Sequence, residues 1–343
     1  MCLLSEKYGK MKSFKSGLGL KNKHLQTLYS SFFKKSPNLN FSIEKFELDD
    51  GDFVDCYWYK TKNSDENTPI VILFHGLAGS YKSPYIQGTM QKLSQNGFNS
   101  VLMHFRGCSG EPNRLARSYH SGETGDAKAF LLHLKQKFPH AMLFGVGYSI
   151  GGNMLLKLLG EMKEDSPFTK AISISAPLQL DICANRMNRG FSKLYQYILL
   201  KSLNKSLKQK YDKHDMKSII NLDKKDVKNL KTFWEFDDVY TAPIHGFKTA
   251  QNYYKKCSSK QFLKDIATPT LIIHAKDDPF MTPEILPTPN ELSQNVKLEI
   301  YPHGGHVGFI GGTVFTPEYW LEDRIVRYFK EGKADENQHR QTK

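Results

Sequence analysis

The stretch Gly147-Tyr148-Ser149-Ile150-Gly151 decides the fold of this 343-residue chain. It follows the apolar run 141–144 and opens into the largely apolar run 153–159, which indicates a buried strand, a very tight turn and a helix. This is the context of a G-x-S-x-G nucleophile elbow. The serine at the tip of such a turn has a positive φ angle, and glycines at the flanking positions avoid collisions with the adjoining backbone. We therefore predict that the Ser149 hydroxyl projects clear of the sheet, with the N-terminus of the next helix beneath it to favour negative charge.

A candidate carboxylate for this serine follows a second strand. The apolar run 271–274 is rich in β-branched residues, and Asp277 and Asp278 come shortly after it. A carboxylate just past the end of a buried strand is where an α/β-hydrolase keeps the acid of its catalytic triad. We predict Asp278 as this acid, because Pro279 directly after it shapes the turn, and Asp277 is the alternative.

A candidate histidine lies in the loop after a third strand. The run 296–301 alternates between apolar and polar residues, and the glycine-rich loop that follows it contains His303 and His306. We predict His306, which lies further into the loop after two glycines, with His303 as the alternative. In this mechanism His306 takes the proton of Ser149 and returns it to the leaving group, while Asp278 holds the imidazole tautomer. The chain order serine, aspartate, histidine is the order of α/β-hydrolases.

An oxyanion hole is predicted at the loop after an early strand. Residues 69–74 form a continuous apolar run, which is typical of a strand in a sheet covered on both faces, and the glycine-rich loop 75–80 follows. Such a loop can direct a backbone N–H group at the oxyanion, and we expect the donor to be Leu77. The second donor is the N–H group of Ile150, the residue after the nucleophile. A simple turn that ends the strand is the alternative interpretation of this loop.

Further motifs occur along nearly the whole chain. They are 22–28 (NKHLQTL), 48–52 (LDDGD), 75–80 (HGLAGS), 105–110 (FRGCSG), Tyr119, Gly122, Thr124, Asp126, 147–153 (GYSIGGN), 236–238 (FDD), 241–243 (TAP), 278–280 (DPF) and 303–309 (HGGHVGF). With these motifs the chain resembles the YheT-like branch of the α/β-hydrolases, the AB hydrolase 4 family of esterases and acylglycerol lipases. The resemblance implies hydrolysis of carboxylic esters by Ser149, Asp278 and His306, without naming a substrate.

The composition narrows the class of protein and its compartment. Hydrophobic residues make up 39% of the chain, and no apolar run approaches the roughly 20 residues that a transmembrane helix needs. The apolar stretch at the start is too short for a secretory signal. Five scattered cysteines without a C-x-x-C pair indicate reduced thiols and a cytoplasmic protein. We find no metal-binding or phosphate-binding motif, and the proposed chemistry requires neither a metal nor another cofactor.

The basic charge suggests a partner. The formal net charge is +13, and the lysine excess is concentrated between Arg186 and Lys231, where interleaved apolar residues predict amphipathic helices. The simpler interpretation is a solvated surface. The alternative is peripheral contact with an anionic membrane, which suits an enzyme that acts on lipid esters. Nucleic acid is not expected as a partner, because no recognition module accompanies the charge.

The predicted architecture is an α/β-hydrolase fold, with a mostly parallel central sheet flanked by helices and a helical cap insertion. Strands over 41–48 and 53–59 are expected to begin the sheet as an antiparallel pair, and an amphipathic helix over 317–330 is expected to close the fold. The predicted organisation is 1–40, an N-terminal arm; 41–176, the first part of the core; 177–260, a helical lysine-rich cap; 261–330, the second part of the core; and 331–343, a polar tail.

The function predicted from these features is that of a serine esterase or lipase that forms an acyl-enzyme on Ser149 and acts on a small-molecule or lipid ester. Two other classes remain open. The same triad performs thioester hydrolysis or acyl transfer to an acceptor other than water, because substrate choice depends on the cap and loops. Some proteins of this fold bind ligands without turnover, usually after the loss of a triad residue.

Overall fold

The structure is a computed structural model, and it describes residues 13–331 of the chain. Within these residues eight strands form one sheet. Its strands are β1 (Ser42–Glu47), β2 (Phe53–Tyr59), β3 (Ile70–Phe74), β4 (Asn99–Met103), β5 (Leu143–Tyr148), β6 (Phe168–Ile174), β7 (Thr270–Ala275) and β8 (Val296–Tyr301). The spatial order is β1-β2-β4-β3-β5-β6-β7-β8. The first two strands are antiparallel, as predicted, β2 pairs antiparallel with β4, and every later pair is parallel.

Helices cover both faces of this sheet. The helices outside the region between β6 and β7 are α1 (Lys23–Phe33), α2 (Pro84–Ser94), α3 (Gly125–Lys137), α4 (Ile150–Met162) and α11 (Trp320–Lys330). Side chains of β3 alternate between two cores, with Ile72 packed in the core that includes α3 and α4, and Val71 in the core that includes α2 and α11. Because both faces are covered, all five residues of β3 are buried. The predicted mostly parallel sheet flanked by helices is confirmed.

A helical insertion, which we define as residues 177–260, separates β6 from β7. Its helices are α5 (Leu180–Met187), α6 (Ser192–Lys210), α7 (Met216–Ile220), α8 (Phe233–Phe236), α9 (Ala242–Ile244) and α10 (Ala250–Cys257). A π-helical turn, Asp237–Thr241, joins α8 to α9. The insertion has apolar clusters of its own, one of which includes Leu200, Leu207 and Phe236.

The two ends of the described chain differ in detail from the sequence prediction. Residues 317–319 were expected to begin the last helix, but they form a short strand, β10 (Pro317–Tyr319), antiparallel to β9 (Ile310–Gly312). The helix begins only at Trp320, because the residues before it pair with a glycine-rich strand. The predicted N-terminal arm contains α1, whose N-terminus is capped by the Asn22 side chain. Residues 1–12, and the predicted tail after Glu331, lie outside the described residues. Between residues 13 and 331, no helix is long and apolar enough to cross a bilayer.

Candidate active site

Ser149 lies at the junction of β5 and α4, in the strained turn that the sequence predicts. Its φ angle is +52°. A Cβ atom on Gly147 would lie 2.5 Å from the carbonyl oxygen of Gly151, and one on Gly151 would lie 2.5 Å from the carbonyl oxygens of Phe74 and His75. Both glycines are therefore required by close backbone contacts. Since the turn leads directly into α4, the serine side chain stands at the helix N-terminus, where partial positive charge gathers.

The structure brings Ser149, Asp278 and His306 together in one hydrogen-bonded chain. The Nε2 atom of His306 lies 3.0 Å from Oγ of Ser149, and its Nδ1 atom lies 2.8 Å from Oδ2 of Asp278. The other carboxylate oxygen of Asp278 accepts the backbone N–H group of Phe280 at 2.8 Å. Because a carboxylate can only accept from Nδ1–H, it leaves Nε2 free to accept the serine proton. Asp278 is only 4% exposed, so this interaction is shielded from water.

The two alternatives from the sequence, Asp277 and His303, lie together outside this chain of contacts. Oδ1 of Asp277 accepts the backbone N–H group of Gly305 at 3.0 Å. Its other carboxylate oxygen lies 3.4 Å from Nδ1 of His303, whose side chain is 45% exposed. Asp277 thus supports the backbone of the histidine loop, whereas its neighbour Asp278 contacts the His306 ring.

In the loop after β3, the backbone N–H groups on either side of Leu77 are hydrogen-bonded to tyrosine hydroxyls. The N–H group of Gly76 donates to the hydroxyl of Tyr85 at 3.0 Å, and that of Ala78 donates to the hydroxyl of Tyr119 at 3.2 Å. Among residues 13–331, no acceptor is bonded to the N–H group of Leu77 between them. Ile150 is the first residue of α4, so its N–H group has no acceptor within the helix. Leu77 and Ile150 line the same cavity as Ser149.

A neutral histidine fixes the start of this loop. His75 is fully buried, and its Nε2 atom accepts the backbone N–H group of Phe105 at 3.1 Å. Its Nδ1 atom lies 2.7 Å from the carbonyl oxygen of Gly76. Burial lowers the pKa of His75 to about 3, so the ring stays neutral and can accept at one nitrogen while it donates at the other. His75 therefore ties the end of β3 to the end of β4.

Comparison with known proteins identifies the family. Residues 69–313 match the family model described as the alpha/beta hydrolase fold. The chain belongs to the α/β-hydrolase family. It is 46% identical to a protein named "Putative esterase YheT" of Escherichia coli (strain K12), over 90% of either chain. It is 28% identical to phospholipase ABHD3 of Mus musculus, over 90% of this chain and 76% of that one.

A solved structure shares the fold of this α/β-hydrolase. The esterase Pf2001 of Pyrococcus furiosus superposes with a TM-score of 0.56 at 17% sequence identity, over 85% of this chain and 92% of that one. The 46% identity to the protein named "Putative esterase YheT" confirms the resemblance to YheT-like α/β-hydrolases that the sequence motifs indicate.

In this α/β-hydrolase the loop that carries His306 rests on α1. Oγ1 of Thr27 accepts the backbone N–H group of His306 at 3.0 Å. The amide oxygen of Gln26 accepts the N–H group of Ile310 at 2.7 Å, while its Nε2 atom donates to the Ile310 carbonyl at 2.9 Å. A Cβ atom on Gly308 would lie 2.3 Å from the Gln26 carbonyl oxygen. The sequence analysis identified 22–28 as a motif but assigned it no role. In the structure, Gln26 and Thr27 of this motif hold the backbone of the loop that carries His306.

The helical insertion reaches the other side of His306. The Phe280 ring stacks on the His306 ring with centroids 4.1 Å apart and planes 14° apart. Tyr195 of α6 packs against Phe280 at 5.0 Å. The hydroxyl of Ser192 donates to the Pro279 carbonyl at 2.6 Å. The first turn of α6 therefore touches the segment that supplies Asp278.

Ser149 and His306 open into a cavity of about 390 Å³ between the core and the insertion. Apolar side chains from several helices of the insertion line it, among them Leu180, Met187, Leu199, Leu203, Phe233 and Phe236. Asp237 is a polar exception within this lining, and its carboxylate accepts the Tyr254 hydroxyl at 2.6 Å. Burial raises the pKa of Asp237 to about 6. The cavity thus combines an apolar wall with polar groups, which include the half-buried carboxyl of Asp237 and the buried cations Arg106 and Lys210.

Arg106, which lines this cavity, holds together the neighbouring loops. Its Nε and Nη2 atoms donate to the two carboxylate oxygens of Asp126 at 2.7 Å each. Its Nη1 atom donates to Asp50 at 2.7 Å and to Asp52 at 3.2 Å. These charged contacts raise the pKa of Arg106 above its ordinary value despite its burial. Three motifs of the sequence, 48–52, 105–110 and Asp126, are therefore explained by one buried ion cluster.

Proposed function

We propose that this protein is a serine hydrolase that cleaves carboxylic esters through an acyl-enzyme on Ser149. The observation that carries the proposal is the continuous hydrogen-bonded chain from Ser149 through His306 to Asp278, at 3.0 Å and 2.8 Å. In that arrangement the serine has a base within reach, and the base has an acid that holds its tautomer.

The mechanism follows from these contacts. Nε2 of His306 accepts the proton of the Ser149 hydroxyl as Oγ attacks the ester carbonyl carbon. The carbonyl oxygen becomes an oxyanion, which accepts hydrogen bonds from the backbone N–H groups of Leu77 and Ile150. The imidazolium, stabilised by Asp278, then gives its proton to the departing alcohol. Water repeats the sequence on the acyl-enzyme, releases the carboxylic acid and restores Ser149.

The names of relatives and the lining of the cavity favour ester substrates. The relatives include a protein named as an esterase and another named as a phospholipase. Apolar side chains such as Met187, Leu203 and Phe233 line part of the cavity beside Ser149, and this apolar part suits an acyl chain. We therefore propose a lipid ester, or a small ester with an apolar acyl group, as the substrate.

Hydrolysis of p-nitrophenyl esters from acetate to palmitate tests this proposal. Wild type should release p-nitrophenol, and Ser149→Ala should reduce kcat to the background rate. Ser166→Ala, which removes a serine outside the cavity, is the matched control and should retain wild-type turnover. Turnover that persists in Ser149→Ala would refute the assigned nucleophile.

The other classes give distinct results in the same series. Turnover of acyl thioesters but not of oxygen esters, abolished by Ser149→Ala, would identify a thioesterase. Transfer of the acyl group to an added alcohol faster than to water would identify an acyltransferase. Failure of the wild type to react with a fluorophosphonate probe would identify a binding protein, because labelling requires an activated serine.

A further inference from the structure

Large apolar side chains are exposed mainly on three segments of this protein. The first segment is the α1 region 18–33, the second is 191–198 at the start of α6, and the third is the tip of the β9–β10 hairpin, 314–315. Their exposed residues are Leu18, Leu25, Phe32, Phe33, Phe191, Leu194, Tyr197, Ile198, Val314 and Phe315, and the exposed fractions range from 40% to 94%. We call the surface formed by these residues the docking face.

Direct contacts hold the three segments on the same side of the molecule. The hydroxyl of Tyr29 on α1 donates to the carbonyl of Val314 at 2.5 Å. The His24 ring packs against Phe191, with centroids 4.4 Å apart, and its Nδ1 atom lies 3.1 Å from the Tyr195 hydroxyl. The three segments are therefore adjacent in space, although almost 300 positions separate the first exposed residue, Leu18, from the last, Phe315.

Two of the three segments of the docking face lie in stretches that carry basic residues and no acidic ones. Residues 13–41 contain five lysines, and residues 182–211 contain seven lysines and arginines, yet neither stretch contains an aspartate or glutamate. Residues 303–317 contain neither lysine or arginine nor an acidic residue, and the exposed Glu318 of β10 follows them directly. Because Asp and Glu number 35 in the 343-residue chain, the charge is unevenly placed. The exposed basic side chains on these stretches include Lys21, Lys35, Arg189, Lys193, Lys201 and Lys205.

The helix α6 shows the pattern most clearly. Leu194 and Ile198, exposed by 47% and 54%, lie on one stripe of the helix, and Lys201 and Lys205 continue the same stripe toward its C-terminus. Leu200 and Leu207, on the opposite side of the helix, are buried against the protein. An exposed stripe that is apolar at one end and basic at the other is typical of a helix that lies in a lipid–water interface.

The docking face also adjoins the proposed catalytic residues. Thr27 on α1 accepts the backbone N–H group of His306 at 3.0 Å. Tyr195 on α6 packs at 5.0 Å against Phe280, which itself stacks on His306. A surface bound to this face would therefore lie close to His306 and to the segment 278–280, which supplies Asp278.

We propose that the docking face binds the surface of a bilayer that contains anionic lipids. Acyl chains at the interface would cover the exposed phenylalanines and leucines, and anionic headgroups would neutralise the surrounding lysines. A second copy of this chain is a poorer occupant, because it would place the basic stretches 13–41 and 182–211, which contain no acidic residue, against the same stretches of the other copy. This inference concerns binding alone, and its outcome does not depend on the proposed ester hydrolysis.

Co-sedimentation of the full chain with vesicles tests the proposal. The vesicles contain either phosphatidylcholine alone or phosphatidylcholine with 30% phosphatidylglycerol, as an experimental choice of about one anionic lipid in three. We expect binding to the anionic vesicles, little binding to the neutral ones, and at least about a tenfold weakening between low and high salt.

Matched variants separate this face from the rest of the surface. Leu194→Ser/Ile198→Ser should weaken binding to anionic vesicles at least about tenfold, because the variants lose apolar contact with the lipid. Leu132→Ser on α3, where the leucine is similarly exposed at 46%, should bind like the wild type. Circular dichroism and thermal unfolding establish that each variant is folded.

The charge is tested in the same way. Lys193→Gln/Lys201→Gln should weaken binding more than Lys62→Gln/Lys128→Gln, which removes two exposed lysines elsewhere on the protein. No binding of the wild type, or equal weakening by both lysine pairs, would overturn the proposal. Sedimentation velocity without vesicles provides a further check. Self-association that Leu194→Ser/Ile198→Ser abolishes would assign the face to a second copy and would also overturn the proposal.

Discussion

The contact between α1 and the histidine loop leads to a specific prediction for Thr27→Val. Valine keeps the shape of threonine but removes the oxygen that accepts the His306 N–H group at 3.0 Å and donates to the Lys23 carbonyl at 2.7 Å. A half-buried N–H group left without an acceptor costs about 1–2 kcal/mol. The loop can avoid this cost if it moves so that the N–H group finds another acceptor, but that movement takes His306 away from Ser149. A cost of this size in the activation free energy lowers kcat by about 5-fold to 30-fold.

The assay separates positioning from binding. Thr27 does not line the cavity, so KM for a p-nitrophenyl ester should stay unchanged while kcat falls. The rate of labelling by a fluorophosphonate should fall by the same factor, because it reports the activation of Ser149. Thr27→Ser restores the hydroxyl and should restore both rates.

A matched control uses a threonine in a similar role far from the site. The Thr61 hydroxyl donates to the Ser94 carbonyl at 3.0 Å, and Thr61→Val should leave kcat unchanged. An unchanged kcat in Thr27→Val, or a rise in KM with kcat constant, would refute the argument that α1 positions His306.

Three other predictions concern the acid, the ion cluster and the cavity carboxyl. Asp278→Asn should lower kcat by about four orders of magnitude with KM little changed, because the amide favours the wrong tautomer of His306; activity within tenfold of wild type would contradict this. Arg106→Ala should lower the free energy of unfolding, measured in urea, by about 3–5 kcal/mol, because it leaves buried carboxylates without a partner. The control Arg114→Ala, which removes an exposed ion pair, should lower it by less than about 1 kcal/mol. Equal losses in both would be inconsistent with the buried cluster. Asp237 has a pKa raised from 3.8 to about 6, so the native state holds a proton that the unfolded chain has released, and this contribution to stability is lost as pH rises through that interval. Between pH 4.5 and 7 the free energy of unfolding should therefore fall more for the wild type than for Asp237→Asn, with a difference of at most about 3 kcal/mol. The same change in urea midpoint with pH for both proteins would refute this prediction.

Much of the fold could be predicted because its signals are local. Gly147 and Gly151 indicate the nucleophile elbow, because a residue with a Cβ atom does not fit between the adjoining backbone segments at either position. The buried strands of a parallel sheet appear as continuous apolar runs, as in Ile70–Phe74. The error at Pro317–Tyr319 arose because the amphipathic pattern of the last helix extends over residues that instead pair with a neighbouring strand.

The site was harder to predict in detail because its contacts are distant in sequence. Asp277 and Asp278 are adjacent in the chain, and only the folded loop shows which carboxylate faces His306. The bond from Ile310 to Gln26 joins residues 284 positions apart, so no local pattern could reveal that α1 supports the histidine loop. From the sequence alone, contact with an anionic membrane was only an alternative interpretation of the lysine-rich stretch 186–231, because the exposure of the docking face depends on which side of α6 packs against the protein.

The most direct test of the central claim is to locate a covalent adduct after treatment with a fluorophosphonate. Intact-mass analysis followed by peptide mapping should show one adduct per chain, on Ser149. Ser149→Ala should give no adduct, and His306→Ala should react far more slowly, because the serine then lacks its base. No adduct in the wild type, or an adduct on a different serine, would contradict the proposed mechanism.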